Sequence, residues 1–471
     1  METADLYVRN GRIVTAESDF PGGVVVAGGR IVDIVRGNPD RAAREEIDAG
    51  GLLVLPGLID PHVHFSEPGR GHWEGFATGS RAAAAGGITT VVEMPLNASP
   101  PTINADALRR KRAAARQSIV DYALWGGLVT DNRSELYDLH AGGVLGFKAF
   151  MCAGSFDFPR ADDLVLESGM RDIARFGSLL AVHAEDEEMT RRFTADLRRK
   201  GRKDRRAWGE ARPIAAELAA IASAIALAER TGVRLHIVHV SCAAGIDLIS
   251  AAKQRGVPVT SETCPHYLFF CEDDLERLGP AAKCAPPLRS SEEVEALWDR
   301  VLDGAVDIIA SDHSPCLLEE KTAGEADIFD AWGGISGLQS TLPALVTEGV
   351  HNRGLSLAAL VRMTAANPAR IFGLDQRKGS IAVGADADLV IVDPQASFVL
   401  QAQDLHYRNR HSAYVGSAMR GVVARTIRHG LTIFNDGKIM DDPPEGEFLP
   451  GGGLNTAMSL SPQEGLPSRW A

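Results

Sequence analysis

Two histidines flank one valine in His62-Val63-His64, at the end of the apolar run Gly57–Val63. Alternation along an extended strand puts both imidazoles on one face, where they could share a metal ion. Alone, such a pair is as readily explained as turn or packing histidines. Three more apolar runs end in the same manner: His183 closes Leu179–His183, His239 sits in the run Leu235–Val240, and Asp312 follows Val306–Ser311. A single strand-end histidine usually packs, and a single aspartate before a helix usually caps it. Packing and capping do not account for all of them ending different strands of one chain. Imidazole nitrogens with a carboxylate are a donor set for a divalent cation.

Lys148 lies inside Val144–Met151, an apolar run where an ammonium is costly to desolvate. Burial lowers an amine's pKa and frees a nucleophile that can add CO2. The resulting carbamate is an anionic, bidentate ligand able to bridge two cations. The alternative is a lysine whose tip snorkels to water.

These residues need elements that converge their ends. Eight apolar runs alternate with helical segments: Gly57–Val63, Thr89–Met94, Val120–Val129, Val144–Phe150, Leu179–His183, Leu235–Val240, Val257–Glu262 and Val306–Ser311. That rhythm, with polar residues gathered at C-terminal strand ends, predicts an α/β fold with a TIM-type (β/α)8 barrel. The rival doubly wound sheet lacks its G-x-G-x-x-G turn. Short strands are expected at Asp5–Val14, Gly23–Val26, Arg30–Val35 and Leu52–Leu55, and again within Gly379–Val392 and Arg425–Ile439, where Asn435-Asp436-Gly437 signals a hairpin. The two ends are expected to share a small β-sandwich. The expected division is residues 1–55 and 373–440 for the sandwich, 56–372 for the barrel and 441–471 for a Pro/Gly/Ser-rich tail, extended or disordered.

The 471 residues carry 49 Lys/Arg against 62 Asp/Glu, a net charge of −13 that argues against nucleic-acid or anionic-membrane binding. The basic run Arg191–Arg212 is read as a solvated excursion rather than a nucleic-acid patch. Pro213–Ala228 is too weakly apolar to span a bilayer and is read as a helix with one buried face. Six cysteines without C-x-x-C spacing, and an acidic N-terminus without a signal pattern, point to reduced thiols in a cytoplasmic protein.

The stretches PGLIDPHVHFSEPG (56–69), GFKAFMCAGSFDF (146–158), SDH (311–313), NPARIFGL (367–374) and KGSIAVGADADLVIVD (378–393) resemble the amidohydrolase superfamily, in its cyclic amidase branch of dihydroorotases, hydantoinases and allantoinases. The resemblance implies His62, His64 and Asp312 on one metal ion, His183 and His239 on a second, and carboxylated Lys148 bridging them. It also implies two divalent cations per subunit, zinc before cobalt, manganese or nickel, a homotetramer, and Asp312 as the proton shuttle. HWEGFATGSRAAAAGGITTVVEMPLNASPPT (72–102), ARP (211–213), TCPHYLFF (263–270), KCAPPLR (283–289) and HYRNRHSAYVG (406–416) place the nearest likeness with the allantoinases, and so imply allantoin as the small-molecule substrate. Dihydroorotases usually carry an arginine where Ser66 stands, and hydantoinases a tyrosine shortly after the bridging lysine, where Ala153 stands here. Hydantoinase or dihydroorotase activity is the alternative, and a non-catalytic, hydantoinase-like assembly protein is the alternative from another class. Ser66, Asn97 and Ser155 are expected substrate contacts. His236, at opposite parity to His239, is expected to face the helix layer, while His266 and His313 stand close enough to ligands to act behind them. The cysteines are expected to be small fillers.

Overall fold

The computed structural model describes residues 4–451. Five strands open the chain: β1 (Ala4–Val14), β2 (Asp19–Ala27), β3 (Arg30–Arg36), β4 (Ala43–Asp48) and β5 (Leu53–Pro56). Four of them carry the Val/Ile-rich pattern that sequence reading detects. β4 does not: AREEID buries only Ile47 and is held by parallel pairing to β1.

Parallel strands follow: β6 (Leu58–Val63), β7 (Ile88–Glu93), β8 (Asp121–Leu124), β9 (Gly126–Gly127), β10 (Phe147–Phe150), β11 (Leu179–His183), β12 (Arg234–Ile237), β13 (Val259–Thr263) and β14 (Ile308–Ile309). The expected third run is split at Trp125, a buried indole that donates Nε1–H to the Pro61 carbonyl at 2.9 Å. β8 then pairs only with β7, and β9 only with β10. The barrel closes where Val63 bridges His313 and the His64 amide donates to the His313 carbonyl at 2.8 Å. Ile59, Val92, Ala123, Ala181, Val238 and Ile308 share one core cluster with Trp125, whereas Val91, Leu124, Val182 and Leu235 belong to the cluster that includes the helices. This alternation separates the barrel interior from the outer layer.

The remaining strands are β15 (Leu389–Val399), β16 (Ala418–Arg428), β17 (Leu431–Asn435) and β18 (Lys438–Ile439). One sheet runs β18-β17-β16-β15-β5-β1-β2-β3, with β4 on β1, so strands from both chain ends interleave. Asp436 and Gly437 take positive φ in the tight β17–β18 hairpin, as their sequence predicts.

Among the described residues, one stretch is long and apolar enough to cross a membrane, Arg205–Thr231. It breaks at Arg212-Pro213, and the helix Ile214–Thr231 buries Ala216, Ala220, Ile221, Ala224 and Ala228 on one face. The basic run forms helices Glu187–Arg199 and Arg205–Ala211 and the turn between them, and its cations pair with acids: Arg202 with Asp204 and Glu210, Arg205 with Glu325, Arg206 with Asp273. Of the two expectations for the tail, the disordered one does not hold for 441–451. Phe448 bridges Tyr122 on the strand side that the Trp125 break leaves open, Leu449 N–H donates to the Tyr122 carbonyl at 2.8 Å, and the Arg112 guanidinium lies 4.2 Å from the Phe448 ring. That segment is docked rather than disordered; 452–471 lies outside the described residues.

A buried ionic cluster joins sheet, barrel and tail. Lys378 Nζ lies 2.6 Å from Asp388, 3.0 Å from Asp386 and against Asp121, while Arg428 reaches Asp121 at 2.6 Å and His429 Nε2 lies 2.9 Å from Asp121. This cluster explains why the expected strand over Gly379–Val392 begins only at Leu389: Asp386 and Asp388 turn inward to the lysine. Burial alone would lower the His429 pKa, but its bonds to Asp121 and Asp386 outweigh that and push it up to about 9 from 6.5. A folded-state pKa above the unfolded one gives stability that is complete below about 6.5 and lost as pH rises through about 9. The denaturation midpoint of the wild type should therefore fall more between pH 7 and pH 10 than that of His429→Gln; parallel pH dependences would refute the role given to His429.

Candidate metal centre and cavity

His62 lies in β6 and His64 just beyond it, Lys148 is the second residue of β10, His183 ends β11, and His239 and Asp312 follow β12 and β14. Each stands at or near a C-terminal strand end, the catalytic face of such barrels. The Asp312 carboxylate lies 3.2 Å from His62 Nε2 and 3.4 Å from His64 Nε2. Ring centroids separate His62 and His239 by 5.5 Å and His183 and His239 by 4.6 Å. Lys148 Nζ lies 5.3 Å from the centre of the Phe150 ring, which itself stacks on His183 at 4.6 Å.

Backbone strain places part of the set. His239 has φ +41° and Asp312 φ +44°, a left-handed region that costs roughly 1–3 kcal/mol for a non-glycine residue. Val238 faces the barrel interior, so simple alternation would turn His239 outward; its positive φ returns the imidazole to the site. The same register overturns the expectation for His236. It faces inward, with Nδ1 2.8 Å from Thr260 Oγ1, Nε2 3.4 Å from Glu262, and Phe372 edge-on at 5.7 Å.

Buried carboxylates hold the ligands from behind. Glu262 lies 2.7 Å from His62 Nδ1 and accepts the His239 amide at 3.2 Å. Glu185 lies 2.6 Å from His183 Nε2 and is itself gripped by Arg212. Asp60 accepts the amides of His62 and Ser311 at 3.1 Å, and Glu93 accepts those of Phe65 and Ser66 at 2.7 and 3.1 Å while paired with buried Lys111. Reading the sequence for ligands passed over all four. Their signal was a solitary acid inside or just after an apolar run, as in LIDPH, VVEMP, LLAVHAED and VTSET.

Burial pushes His64 down to about 4 and lowers His183 and His239, leaving neutral imidazoles. Burial also brings Lys148 down to about 8, against the pull of Glu262 and Asp312, and its Nζ has no hydrogen-bond partner among the described residues. Burial would raise Asp312, but the facing His62 and the bond from His64 outweigh it and hold the carboxyl at about 2. His62, His64 and Asp312 offer ligand atoms within 4.8 Å of one another, and Cys152, His183 and Glu185 do likewise. Neutral nitrogens, an ionised carboxylate and an orphaned buried amine fit a divalent metal centre.

Above them opens a cavity of about 250 Å³, with Asn97, Phe150, Ser155 and Trp332 on its walls. Among the described residues, its lining contains no lysine, arginine or tyrosine. Asn97 Nδ2 lies 3.2 Å from His64 Nδ1; Ser155 donates to Asp157 at 2.7 Å, and Arg70 ties Asp157 to the Asn97 carbonyl. Ser66 does not reach the cavity: it is fully buried, with its hydroxyl 3.4 Å from the His64 carbonyl. His313 Nε2 lies 3.6 Å from Glu74, beyond hydrogen-bond reach, and both ring nitrogens of His266 are unpartnered. All six cysteines are free, and five are buried.

The amidohydrolase family model matches residues 53–440, and the chain belongs to that family. It is 52% identical to an allantoinase of Rubrobacter xylanophilus across 95% of this chain and 98% of that protein, and 49% identical to an allantoinase of Solibacter usitatus across 93% and 95%. The L-hydantoinase (dihydropyrimidinase) structure from Arthrobacter aurescens superposes with a TM-score of 0.93 at 35% identity, over 95% of this chain and all of that one. These likenesses match the barrel-plus-sandwich fold and the family expected from sequence.

Carboxylates behind ligating histidines typically change metal affinity about 10–100-fold when removed. Glu262→Gln should weaken metal retention by that order in chelator competition, because it loosens His62 and the His239 amide together. Unchanged retention would show Glu262 to be packing alone.

Proposed function

We propose that this chain is a binuclear, metal-dependent hydrolase of a cyclic amide that opens allantoin to allantoate. The observation that carries this reading is a cavity with ligand-rich residues at its base and walls free of cationic side chains. His62, His64 and Asp312 would hold one divalent cation, His183 and His239 a second, and a carbamate on Lys148 would bridge them, with zinc the first choice of metal. Such a pair supplies Lewis acidity and lowers the pKa of water toward about 7. The free Lys148 amine forms its carbamate by adding CO2 and releasing one proton, which its lowered pKa favours.

Asp312 is ionised at neutral pH and is positioned to take a proton from the attacking water. As the ring C–N bond breaks, Asp312 returns that proton to the departing nitrogen, and the carboxylic acid formed releases water's second proton to solvent as it ionises. Asn97 and Ser155 offer neutral donors and acceptors to the ureido arm. Ala153 and Gly154 line the position where hydantoinases usually place a tyrosine, leaving room for that arm. A homotetramer in the cytoplasm completes the reading; six free thiols accord with a reducing compartment.

A substrate panel tests it. Dihydroorotate brings a carboxylate that the cavity lining cannot pair, so kcat/KM for allantoin should exceed that for dihydroorotate by at least about 10³, equivalent to ~4 kcal/mol. Comparable rates, or faster turnover of hydantoin or dihydrouracil, would sink the allantoin assignment.

Lys148→Ala removes the bridging anion and should lose both metal and activity, with short carboxylates such as acetate restoring part of each. Elemental analysis alongside the rate decides; full metal content and full activity would reduce Lys148 to a packing residue.

A further inference from the structure

Two lysines that the chemistry above does not use are buried behind one wall of the cavity. Lys321, in the helix Leu318–Thr322, directs its ammonium at three backbone carbonyls: Lys283 at 3.0 Å, Trp332 at 2.9 Å and Gly334. Lys283 Nζ donates to the Ala331 carbonyl at 2.6 Å and the Phe329 carbonyl at 3.3 Å, and lies 4.1 Å from the centre of the Trp208 ring. Their hydrogen-bond partners are carbonyls, not carboxylates. A buried ammonium has three donors to satisfy and is costly without compensation, so this arrangement demands a structural return.

The carbonyls belong to two loops that together form the wall. Ala285 stands on the loop after β13, while Trp332 and Gly333 stand on the loop after β14, and all three line the cavity. Both lysines tie the two loops together: Lys321 through three carbonyls drawn from both, and Lys283, itself on the first, through two carbonyls of the second. Trp208 adds a bond from Nε1 to the Cys284 carbonyl at 2.7 Å, and the Trp332 indole donates to the Ser314 carbonyl at 3.1 Å. Gly334 leaves no slack: a Cβ there would come within 2.5 Å of the Ser314 side chain.

We propose that Lys321 is a positioning residue for substrate, fixing the distance between the Ala285 and Trp332–Gly333 segments through its three carbonyl bonds, with Lys283 securing the same wall from one side. The inference rests on the hydrolase reading of the same cavity. Methionine at either position keeps the length and the apolar stem but removes the donors. Substrate binding then suffers while the metal ligands keep their places: all but Asp312 sit on other strands, and Asp312 is anchored through its neighbour His313, whose carbonyl accepts the His64 amide.

The test compares metal-loaded wild type, Lys321→Met and Lys283→Met on the cyclic amide that the wild type turns over best, with metal content and Tm measured on each. Lys321→Met should raise KM at least about tenfold with kcat within about threefold and metal content unchanged; Lys283→Met should raise KM by roughly threefold, since the three bonds of Lys321 remain. KM within twofold of wild type in both variants overturns the proposal, and so does a collapse of kcat together with loss of metal, which would mark a role in the fold instead. Should Lys321→Met fail to fold, Lys283→Met decides by the same criteria. A wild type that prefers a cyclic amide other than allantoin overturns the allantoin reading and leaves the lysines to be judged on that amide; a wild type that opens no cyclic amide overturns both.

Discussion

Removing His64, His183 and His239 from water penalises their charged forms, and at neutral pH that leaves imidazole lone pairs facing one another at the mouth of the barrel, beside a Lys148 whose pKa burial lowers to about 8. Everything around the site serves to make that arrangement tolerable in a folded chain. Neutral donors crowded together do not repel as imidazolium ions would, but neither do they hold one another in place. Orientation comes from the carboxylates behind them, each fixed in turn by amides or by a cation, as Glu185 is by Arg212 and Glu93 by Lys111. The ligands therefore rest on a continuous layer of buried, hydrogen-bonded acids, and the barrel provides the rigid strand ends on which both layers stand.

Loops at the mouth need support that the barrel alone does not supply, and the segment following β15 provides it. Arg408 N–H donates to Glu74 at 3.0 Å, Asn409 to the Trp73 carbonyl at 2.7 Å, and His411 Nε2 lies 2.8 Å from the Cys316 carbonyl. The Gln339 amide donates to Tyr407 Oη at 3.0 Å. A stretch from the C-terminal part of the chain thus binds loops that follow β6 and β14. The two-ended sheet gives that stretch its fixed origin, so the interleaving of the chain termini bears on the shape of the cavity.

The residues that announce themselves in sequence are those whose chemistry contradicts their surroundings. His62, His64, Lys148, His183 and Asp312 are polar side chains in or beside apolar strands, and the period of two was enough to aim the first pair. The same rule failed at His236, because the positive φ at His239 brings that imidazole to the site although alternation with inward-facing His236 and Val238 would turn it outward, and no residue type signals such a departure at a histidine. β4 was illegible because its strand state comes from pairing with β1 rather than from its own pattern. Arg212 shows the limit of charge counting. Among ten cations in one run it is chemically indistinct, yet the fold buries it against Glu185, while Arg202, Arg205 and Arg206 pair with acids at the surface.

The distribution of positive charge around the cavity follows a consistent logic. Lys283 and Lys321 lie behind one wall and Arg212 behind Glu185, while Arg70 clamps the loops of the other wall, yet none of them contributes to the lining. None of these charges is free to act on a substrate: Arg212 is offset by Glu185 and Arg70 by Asp157, and the two lysines are committed to backbone carbonyls. Nor can they form the paired hydrogen bonds with which an arginine in the lining would capture a substrate carboxylate. A ring that enters neutral does not need the fork. An anionic substrate would lose its water on entry and find no partner to replace it. The same placement of charge thus admits a neutral cyclic amide and rejects its acidic counterpart.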